Sequence, residues 1–383
     1  MPVVGEARPR ANRLRATTRR VVDPLAFGVL AALVFFWWLT LAVQGSPGDW
    51  AFDFRQFWQG ASDVVNGASP YPSTDLLATA GAHLDPEGIQ DVFRFPYPAG
   101  AAILLAPLGL LGFHAAAAVW SALLIVSLLA ALWILGVRDW RVFAVVVSSA
   151  PVISAVRLGT FTPVLILLLA LAWRSRDRRG VAGGSLALAI ALKLFLWPLV
   201  VWLAATRRWL DAALAGGLAA VITFAAWAAI GFDGMSDYPE LVRRLKEVVG
   251  ARGYSLVALG VEAGLPGGVA DLFPWAVGLA LVAWVVVLAQ RSQERRAFCI
   301  AVVAAIALTP IVWLHSFALL IVPVAIYRPR FAWVWLLFWL FWLTPHQTNA
   351  GDLWRILLVD GVVIALVAAS ILGRRRTVGL VTN

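Results

Sequence analysis

The sequence of 383 residues is poor in charge and nearly free of cysteine, and both shortages exclude classes of protein. Only 14% of the residues are charged while 61% are hydrophobic, and the mean hydropathy is +0.84. A soluble globular domain is far more polar than this. The single cysteine, Cys299, lies in an apolar run and leaves no internal disulfide possible, so redox chemistry is not expected. The composition is that of an integral membrane protein.

The motifs of several enzyme classes are also missing. There is no His-x-x-x-His, no cysteine cluster and no Asp-x-Asp, and the nearest acidic pair, Asp49 and Asp53, is loosely spaced. Neither a glycine-rich phosphate loop nor a G-x-S-x-G elbow occurs, which disfavours nucleotide hydrolysis and serine esterase chemistry. We therefore expect no metal site.

The sequence has a formal net charge of +10, and its basic residues are grouped between apolar runs. This grouping is typical of cytoplasmic anchors, and we expect no binding to nucleic acid. The charged connectors are residues 138–141, 174–179, 206–209, 291–296, 328–330 and 374–376. Six arginines also precede the first apolar run, 25–43, which is long enough to span a membrane and is followed by no small-residue cleavage pattern.

Apolar runs recur along the chain and predict an all-α integral membrane protein. They are residues 25–43, 99–112, 115–136, 141–156, 162–173, 181–205, 211–231, 274–290, 297–327, 331–343 and 354–372. The positive-inside rule places the connectors and both termini in the cytoplasm, with about twelve crossings. This requires 181–205 and 297–327 to be hairpins of two short helices, interrupted by Lys193 and Pro198 in the first and by Pro310 in the second.

One run must then fail to cross, and residues 99–112 are the best candidate. At 1.5 Å per residue this run falls short of a bilayer of roughly 30 Å, although it could equally be a short tilted span. The predicted organisation is a basic cytoplasmic tail (1–24), a single transmembrane domain (25–372) and a cytoplasmic tail (373–383). Two large loops, 45–97 and 232–273, lie on the outer side.

The second outer loop contains a basic amphipathic segment, Tyr238 to Val249. Its apolar residues share one helical face, and Arg243, Arg244 and Lys246 lie on the rest. We expect a helix that lies flat on the membrane, or a docking surface for an anionic head group.

The first outer loop is acidic, and Asp53 is its most informative residue. The loop has two arginines, no lysine and seven acids: Asp49, Asp53, Asp63, Asp75, Asp85, Glu87 and Asp91. A carboxylate just beyond a span, opposite the basic residues, is well placed to serve as a base toward a lipid-linked substrate. Residues 54–66 have helical spacing, so Asp53 is either the N-cap of that helix or a catalytic group. Asp49 is its nearest rival.

Three further ionisable residues, Arg157, Lys193 and His315, lie near or within apolar runs. Burial of such groups is unfavourable, so they usually face a cavity or a partner. Lys193, at the tip of its predicted hairpin, could meet a phosphate or extend to the interface. His315 could bond a phosphate, a sugar or a backbone carbonyl, and Arg157 could hold an anion or end a helix.

The order of several motifs is similar to that of a known family. The motifs are D-F-x-x-F-W with G-A-S-P-Y (53–71), F-x-Y-P (95–98) before P-L-G-L-L (107–111), R-L-G-T-F-T (157–162), A-x-A-L-K (189–193), Y-S-L-x-A-L (254–259) and T-P-x-x-W-x-H-S (309–316). Over roughly residues 25–345 the sequence resembles glycosyltransferase family 87, the polyprenyl-phosphate-mannose-dependent mannosyltransferases of actinobacteria. Family amides are missing at Thr160, Thr162 and Tyr254, which leaves the sugar and acceptor open.

The resemblance implies a multi-span helical bundle of the GT-C type, with interfacial helices in the outer loops. It implies inverting transfer of a sugar, most simply mannose, from a polyprenyl-phosphate donor to a glycolipid or glycan at the outer face of the plasma membrane, without a cofactor. Asp53 would be the general base, and Lys193, His315 and Arg157 would bind the donor phosphate. The residues expected to bind substrate are Asp49, Arg55, Tyr71, Tyr97 and Ser255.

Three alternatives stay open. The donor could carry a pentose such as arabinofuranose. The chain could also be a transporter or flippase of lipid-linked sugars, although no internal repeat is visible. Finally, it could be a non-catalytic scaffold for envelope assembly.

Overall fold

The computed structural model describes residues 50–71, 94–344 and 352–372. The apolar run 25–43, the tails 1–24 and 373–383, and Asp49 fall outside these ranges. Every regular element within them is a helix, as the apolar composition predicts.

Sixteen α-helices follow one another in the described ranges. Helices α1 to α5 are Phe52–Val65, Ala99–Gly109, Phe113–Ile134, Trp140–Val147 and Ala150–Leu158. Helices α6 to α10 are Thr162–Arg174, Val181–Leu192, Pro198–Ala205, Trp209–Ala229 and Tyr238–Val249. Helices α11 to α16 are Leu256–Glu262, Gly267–Gln290, Glu294–Ala307, Ile321–Tyr327, Leu337–Leu340 and Leu353–Leu372. Short 3₁₀ helices are Leu194–Leu196, Gly250–Arg252, Leu314–Leu320, Trp333–Leu336 and Phe341–Leu343.

In the described part of the chain, four helices are long and apolar enough to cross a membrane: α3, α9, α12 and α16. A fifth span results if α4 and α5, which meet at a bend of 60°, count as one. The remaining apolar helical segments are shorter, at 10–17 residues. The chain is therefore a helical membrane protein, and the predicted number of crossings stays a prediction.

The charged connectors meet at one end of the bundle. Arg208 forms ion pairs with Asp177 (2.9 Å) and Glu294 (2.8 Å), and Arg176 also pairs with Glu294 (3.1 Å). These contacts join three connectors, 174–179, 206–209 and 291–296. The sequence predicts that they share one side, and in the structure they do.

The other described connectors extend the same cluster. The guanidinium of Arg295 lies 5.4 Å from the centroid of the Tyr327 ring, next to the connector 328–330. The backbone N–H of Phe331 donates to the Asp139 carboxylate (3.0 Å), which brings in the connector 138–141. We name this side, defined by residues 138–141, 174–179, 206–209, 291–296 and 328–330, the arginine end.

Exposed tryptophans flank these connectors. The exposed fractions of Trp133, Trp140, Trp209 and Trp333 are 60%, 50%, 67% and 65%. Each lies within a few residues of an arginine of the arginine end. Exposed tryptophans near clustered arginines are typical of a membrane–water interface.

The run 181–205 reverses direction at Lys193. Gly183 in α7 packs against Asp211 at the start of α9, where an added Cβ would lie 2.5 Å from the Asp211 carbonyl oxygen. Both helices lead away from this contact, so α7 and α9 run side by side in the same direction. The segment 194–205 must therefore return the chain to Arg208 at the arginine end. The predicted break at Lys193 is confirmed, because α7 ends at Leu192.

The second interrupted run also breaks where proline predicts. Helix α13 ends at Ala307, Pro310 lies in the gap, and the helical segment 314–327 leads back to the arginine end at Tyr327. The breaks at Lys193 and Pro310 thus lie at the opposite end. We name it the aspartate end, because Asp53 is near enough to Lys193 to interact with it electrostatically.

Helix α2 packs against α1 and the end of α7. Its Gly100 faces the carbonyl of Ala191, near the end of α7. Its Gly109 packs so closely on α1 that an added Cβ would lie 2.7 Å from the carbonyl carbon of Ala61. Helix α2 is one of the shorter apolar helices, and the prediction that the run 99–112 does not cross stays a prediction.

Candidate functional site

Helix α1 is fixed by aromatic side chains on its buried face. Phe54 and Phe57 are completely buried. The Phe54 ring stacks on Trp120 with a centroid distance of 5.9 Å, and the Phe57 ring contacts Tyr97 (4.4 Å) and Phe161 (4.5 Å). These contacts pack α1 against α3, the start of α6 and the F-x-Y-P segment Phe95–Pro98. Asp53 lies beside the packed face of α1 and is half-buried.

The prediction that Asp53 is the N-cap of this helix is wrong. Helix α1 begins at Phe52, and Ala51 occupies the N-cap position in the left-handed conformation (φ 56°, ψ 35°). The reason is a backbone contact: the N–H of Ala51 donates to the carbonyl of Arg157 (2.7 Å) and turns the chain into α1 there. Asp53 is instead in the first helical turn, where a carboxylate is favoured by the helix dipole.

The Asp53 carboxylate has no hydrogen-bond or ion-pair partner among the described residues. Burial raises the pKa of Asp53 to about 6, and the nearby Lys193 ammonium opposes this shift. Burial raises the pKa of Tyr97 well above its usual value, and the Asp53 carboxylate adds to that shift. Asp53, Tyr97 and Lys193 are therefore close enough to influence one another, although no ion pair joins the two charges.

Lys193 reaches this site from the break after α7. Its backbone is extended (φ −147°, ψ 104°), between α7 and the 3₁₀ helix Leu194–Leu196. Its ammonium lies 5.9 Å from the centroid of the Tyr97 ring and 6.0 Å from that of Phe195. These aromatic faces stabilise a cation without neutralising it.

His315 lies on the segment Leu314–Leu320, which packs against α5 and α6. The side chain is 2% exposed, and its Nδ1 has no hydrogen-bond partner among the described residues. The ring is near enough to the Lys193 ammonium to interact electrostatically. Leaving a buried polar atom unpaired is unfavourable, and such atoms occur where a ligand completes the bonding.

Arg157 is placed beside this group of residues. It occupies the last turn of α5, and its carbonyl accepts the hydrogen bond that starts α1. The structure thus brings Asp53, Lys193, His315 and Arg157, which lie far apart in the sequence, to the aspartate end.

The other predicted substrate-binding residues make structural contacts. The Tyr71 hydroxyl donates to the Tyr97 carbonyl (2.8 Å), and its ring stacks on Trp227. Ser255 is buried and caps α11, since its hydroxyl accepts from the N–H of Ala258 (3.1 Å). Arg55 is exposed with its guanidinium 4.4 Å from the centroid of the Phe113 ring.

The three residues that stand where the family has amides, Thr160, Thr162 and Tyr254, also form hydrogen bonds within the protein. The buried Thr160 hydroxyl donates to Thr162 Oγ1 (3.1 Å). The Tyr254 hydroxyl donates to the Thr344 carbonyl (2.8 Å), and its N–H donates to the Val312 carbonyl (2.7 Å). These contacts hold the loops around the site.

Helix α10 confirms the amphipathic segment of the second outer loop, but its cations are already paired. Arg243 pairs with Glu240 and Glu247, Arg244 pairs with Glu240 (2.9 Å), and Lys246 pairs with Asp271 (2.6 Å). This neutralisation weakens the hypothesis that α10 docks an anionic head group.

Sequence reasoning missed three residues. Tyr238 contacts Tyr71 and Trp227 and so joins the loop 232–273 to the site. Asp211 is buried and accepts hydrogen bonds from the N–H groups of Gly180 (3.0 Å) and Gly183 (2.9 Å), which caps α7. Asp360 lies inside the apolar helix α16, where an ionisable residue is itself a signal.

Comparison with known proteins adds one match. The family model described as glycosyltransferase family 87 matches residues 95–316. Tyr97, Arg157, Lys193 and His315 lie inside the matched range, and Asp53 precedes it. No curated protein matches the chain. No solved structure matches it either.

Proposed function

This chain belongs to glycosyltransferase family 87 and is a membrane glycosyltransferase, and from that premise we propose that it transfers mannose from polyprenyl-phosphate mannose to a glycolipid or glycan. The observation that carries the proposal is the unpaired Asp53 carboxylate, within electrostatic range of Lys193, beside a histidine with an unpaired ring nitrogen. A base and a separate cation are the groups that displacement of a phosphate by a hydroxyl needs.

In the proposed reaction Asp53 accepts the proton of the acceptor hydroxyl as its oxygen attacks the anomeric carbon. The bond from that carbon to the phosphate oxygen breaks, and the polyprenyl phosphate leaves with the electron pair. Attack from the face opposite the phosphate inverts the anomeric configuration. A pKa of about 6 leaves Asp53 ionised at neutral pH while keeping it a stronger base than an exposed aspartate.

Lys193 and His315 serve the leaving group in this scheme. The ammonium of Lys193 stabilises the negative charge that grows on the phosphate, an effect that is large in a site with little water. The unpaired Nδ1 of His315 gives the phosphate or the sugar a second partner. Arg157 is close enough to the start of α1 to contribute a further positive charge. The donor is already activated, so the scheme uses no cofactor.

The proposed orientation places the arginine end in the cytoplasm and the aspartate end outside, at the plasma membrane. The clustered arginines and the exposed tryptophans of the arginine end favour it. With the run 25–43 as the first span, both termini are cytoplasmic and the chain crosses about twelve times.

The test is sugar transfer by purified protein from radiolabelled polyprenyl-phosphate mannose to an acceptor lipid extract. Asp53→Asn should lower turnover about 10²- to 10⁴-fold, the usual contribution of a general base. Asp63→Asn is the matched control, because Asp63 lies on the same helix and is paired with Arg94 (2.8 Å). Wild-type turnover by a folded Asp53→Asn protein would refute the proposed role. A parallel assay with polyprenyl-phosphate arabinofuranose decides between the two sugars.

A further inference from the structure

An apolar groove lies between α2, α7 and α9, with a volume of about 290 Å³. The lining residues are Gly100, Ile103, Leu104, Leu188, Ala191, Leu192, Ile222, Ala225 and Ala226. None of them has a polar side chain, and the small residues Gly100, Ala191, Ala225 and Ala226 leave the space between the three helices open. The groove is therefore suited to a hydrocarbon and to no polar part of a substrate.

The groove adjoins the proposed phosphate site. Ala191 and Leu192 line it, and Lys193 is the next residue along the chain. From Leu188 to Leu192 it follows α7 for about 6 Å, at 1.5 Å per residue. Leu104 lies at its edge and is 47% exposed, so the groove communicates with the hydrocarbon region around the bundle.

We propose that this groove binds the isoprene units nearest the phosphate of the donor, and that the rest of the polyprenyl chain stays in the bilayer. The inference rests on the proposed function. A phosphate at Lys193 with its chain leaving along α7 places the sugar on the other side of the phosphate, toward Asp53. The groove is short, so the enzyme contacts only the first isoprene units. Its KM for the donor should therefore not depend on the length of the chain beyond them.

Gly100→Leu is the variant that fills the groove. A Cβ at Gly100 would lie 3.7 Å from the Ala191 carbonyl oxygen and 4.0 Å from Ala226 Cβ, which are ordinary contacts, so the backbone accommodates it. The rest of the leucine side chain then occupies the groove. Gly217→Leu is the matched control, because Gly217 lies in α9 and a Cβ there meets nothing within 4 Å.

We expect Gly100→Leu to raise the KM for decaprenyl-phosphate mannose about tenfold or more with little change in kcat, because the lost contacts are apolar. The KM for a short citronellyl-phosphate mannose should rise by the same factor, since both donors share the first isoprene units. Gly217→Leu should match the wild type with both donors. Unchanged KM values for Gly100→Leu would overturn the proposal, and so would a rise confined to the long donor.

Binding gives a second readout that needs no turnover. A benzophenone amino acid at Ile222 should crosslink to decaprenyl phosphate, and Gly100→Leu should abolish that product. Crosslinking to a bulk phospholipid that decaprenyl phosphate does not compete away would show that the groove holds a membrane lipid instead, and would refute the proposal. Failure of the proposed function looks different, because the wild type would then transfer no sugar from either donor.

Discussion

A methyl group on Gly159 would lie 2.5 Å from the Cβ of Phe54, the residue that follows Asp53 in α1. Gly159 has a φ of +75°, and its carbonyl accepts a hydrogen bond from the indole N–H of Trp120 (2.7 Å). The close approach therefore sets the distance between α1 and the turn after α5. Through Phe54 it also sets where Asp53 stands relative to Lys193.

We predict that Gly159→Ala lowers kcat by about tenfold or more, because α1 must move away to admit the methyl group. Gly67→Ala is the control for backbone strain alone, since Gly67 has a φ of +73° and nothing within 4 Å of an added Cβ. It should destabilise the protein by about 1 kcal/mol and leave turnover per folded molecule unchanged. Steady-state kinetics and thermal unfolding separate the two effects. Equal kinetic losses in both variants would contradict the role of Gly159.

The start of α1 marks a limit of sequence reasoning. The apolar spacing of residues 54–66 correctly predicts a helix, and the acid near its start resembles an N-cap. The true start depends on the Ala51–Arg157 backbone hydrogen bond, which joins segments more than one hundred residues apart. No local pattern encodes that contact, so the sequence predicts the helix but not the residue at which it begins.

The pH dependence of transfer should follow Asp53. Its pKa is raised to about 6, and the proposed reaction needs the ionised form. We therefore predict that kcat/KM is level above about pH 7 and falls as the pH drops through 6, approaching tenfold per pH unit. The residual activity of Asp53→Asn should lack this fall, which is the acid limb of the pH profile. Rates measured in one buffer series at constant ionic strength test it, and a limb that persists in Asp53→Asn would assign it to another group.

Lys193→Gln should change both the rate and the pH profile. In the proposed reaction, loss of the ammonium removes stabilisation of the leaving phosphate, and we expect kcat to fall about 10²-fold. The ammonium also opposes the rise of the Asp53 pKa, so its removal should move the acid limb to higher pH. Lys246→Gln is the matched control, because Lys246 is paired with Asp271 on α12. A rate loss without any shift of the limb would place Lys193 out of electrostatic range of Asp53.

The remaining site residues differ in how well the sequence identifies them. Lys193 and His315 are found because an ionisable group in an apolar run is unusual, and the structure brings both to the aspartate end. Asp360 carries the same signal, since it is an ionisable residue inside the apolar helix α16. No sequence pattern identifies Tyr238, since its contacts with Tyr71 and Trp227 depend on how the segment that contains Tyr71, helix α9 and helix α10 pack together.

Asp211→Ala should destabilise the fold without impairing catalysis. The Asp211 carboxylate caps α7 from a neighbouring helix, and its loss leaves the N–H groups of Gly180 and Gly183 unpaired. A lost cap of this kind costs about 1–2 kcal/mol. Asp177→Ala is the control, because the Asp177 side chain is 71% exposed and its ion pair with Arg208 contributes little. Thermal unfolding in detergent measures the difference, and equal midpoints for the two variants would contradict the capping role.

The orientation of the bundle can be tested by cysteine labelling. The chain has one cysteine, Cys299, which is 1% exposed, so background reaction should be low. Ala68→Cys and Ser236→Cys introduce thiols at exposed positions toward the aspartate end, and Arg178→Cys introduces one at the arginine end. A membrane-impermeant maleimide should label the first two in intact cells and the third only after permeabilisation. The reverse pattern would put Asp53 in the cytoplasm, where the base would face the wrong leaflet for the proposed acceptor.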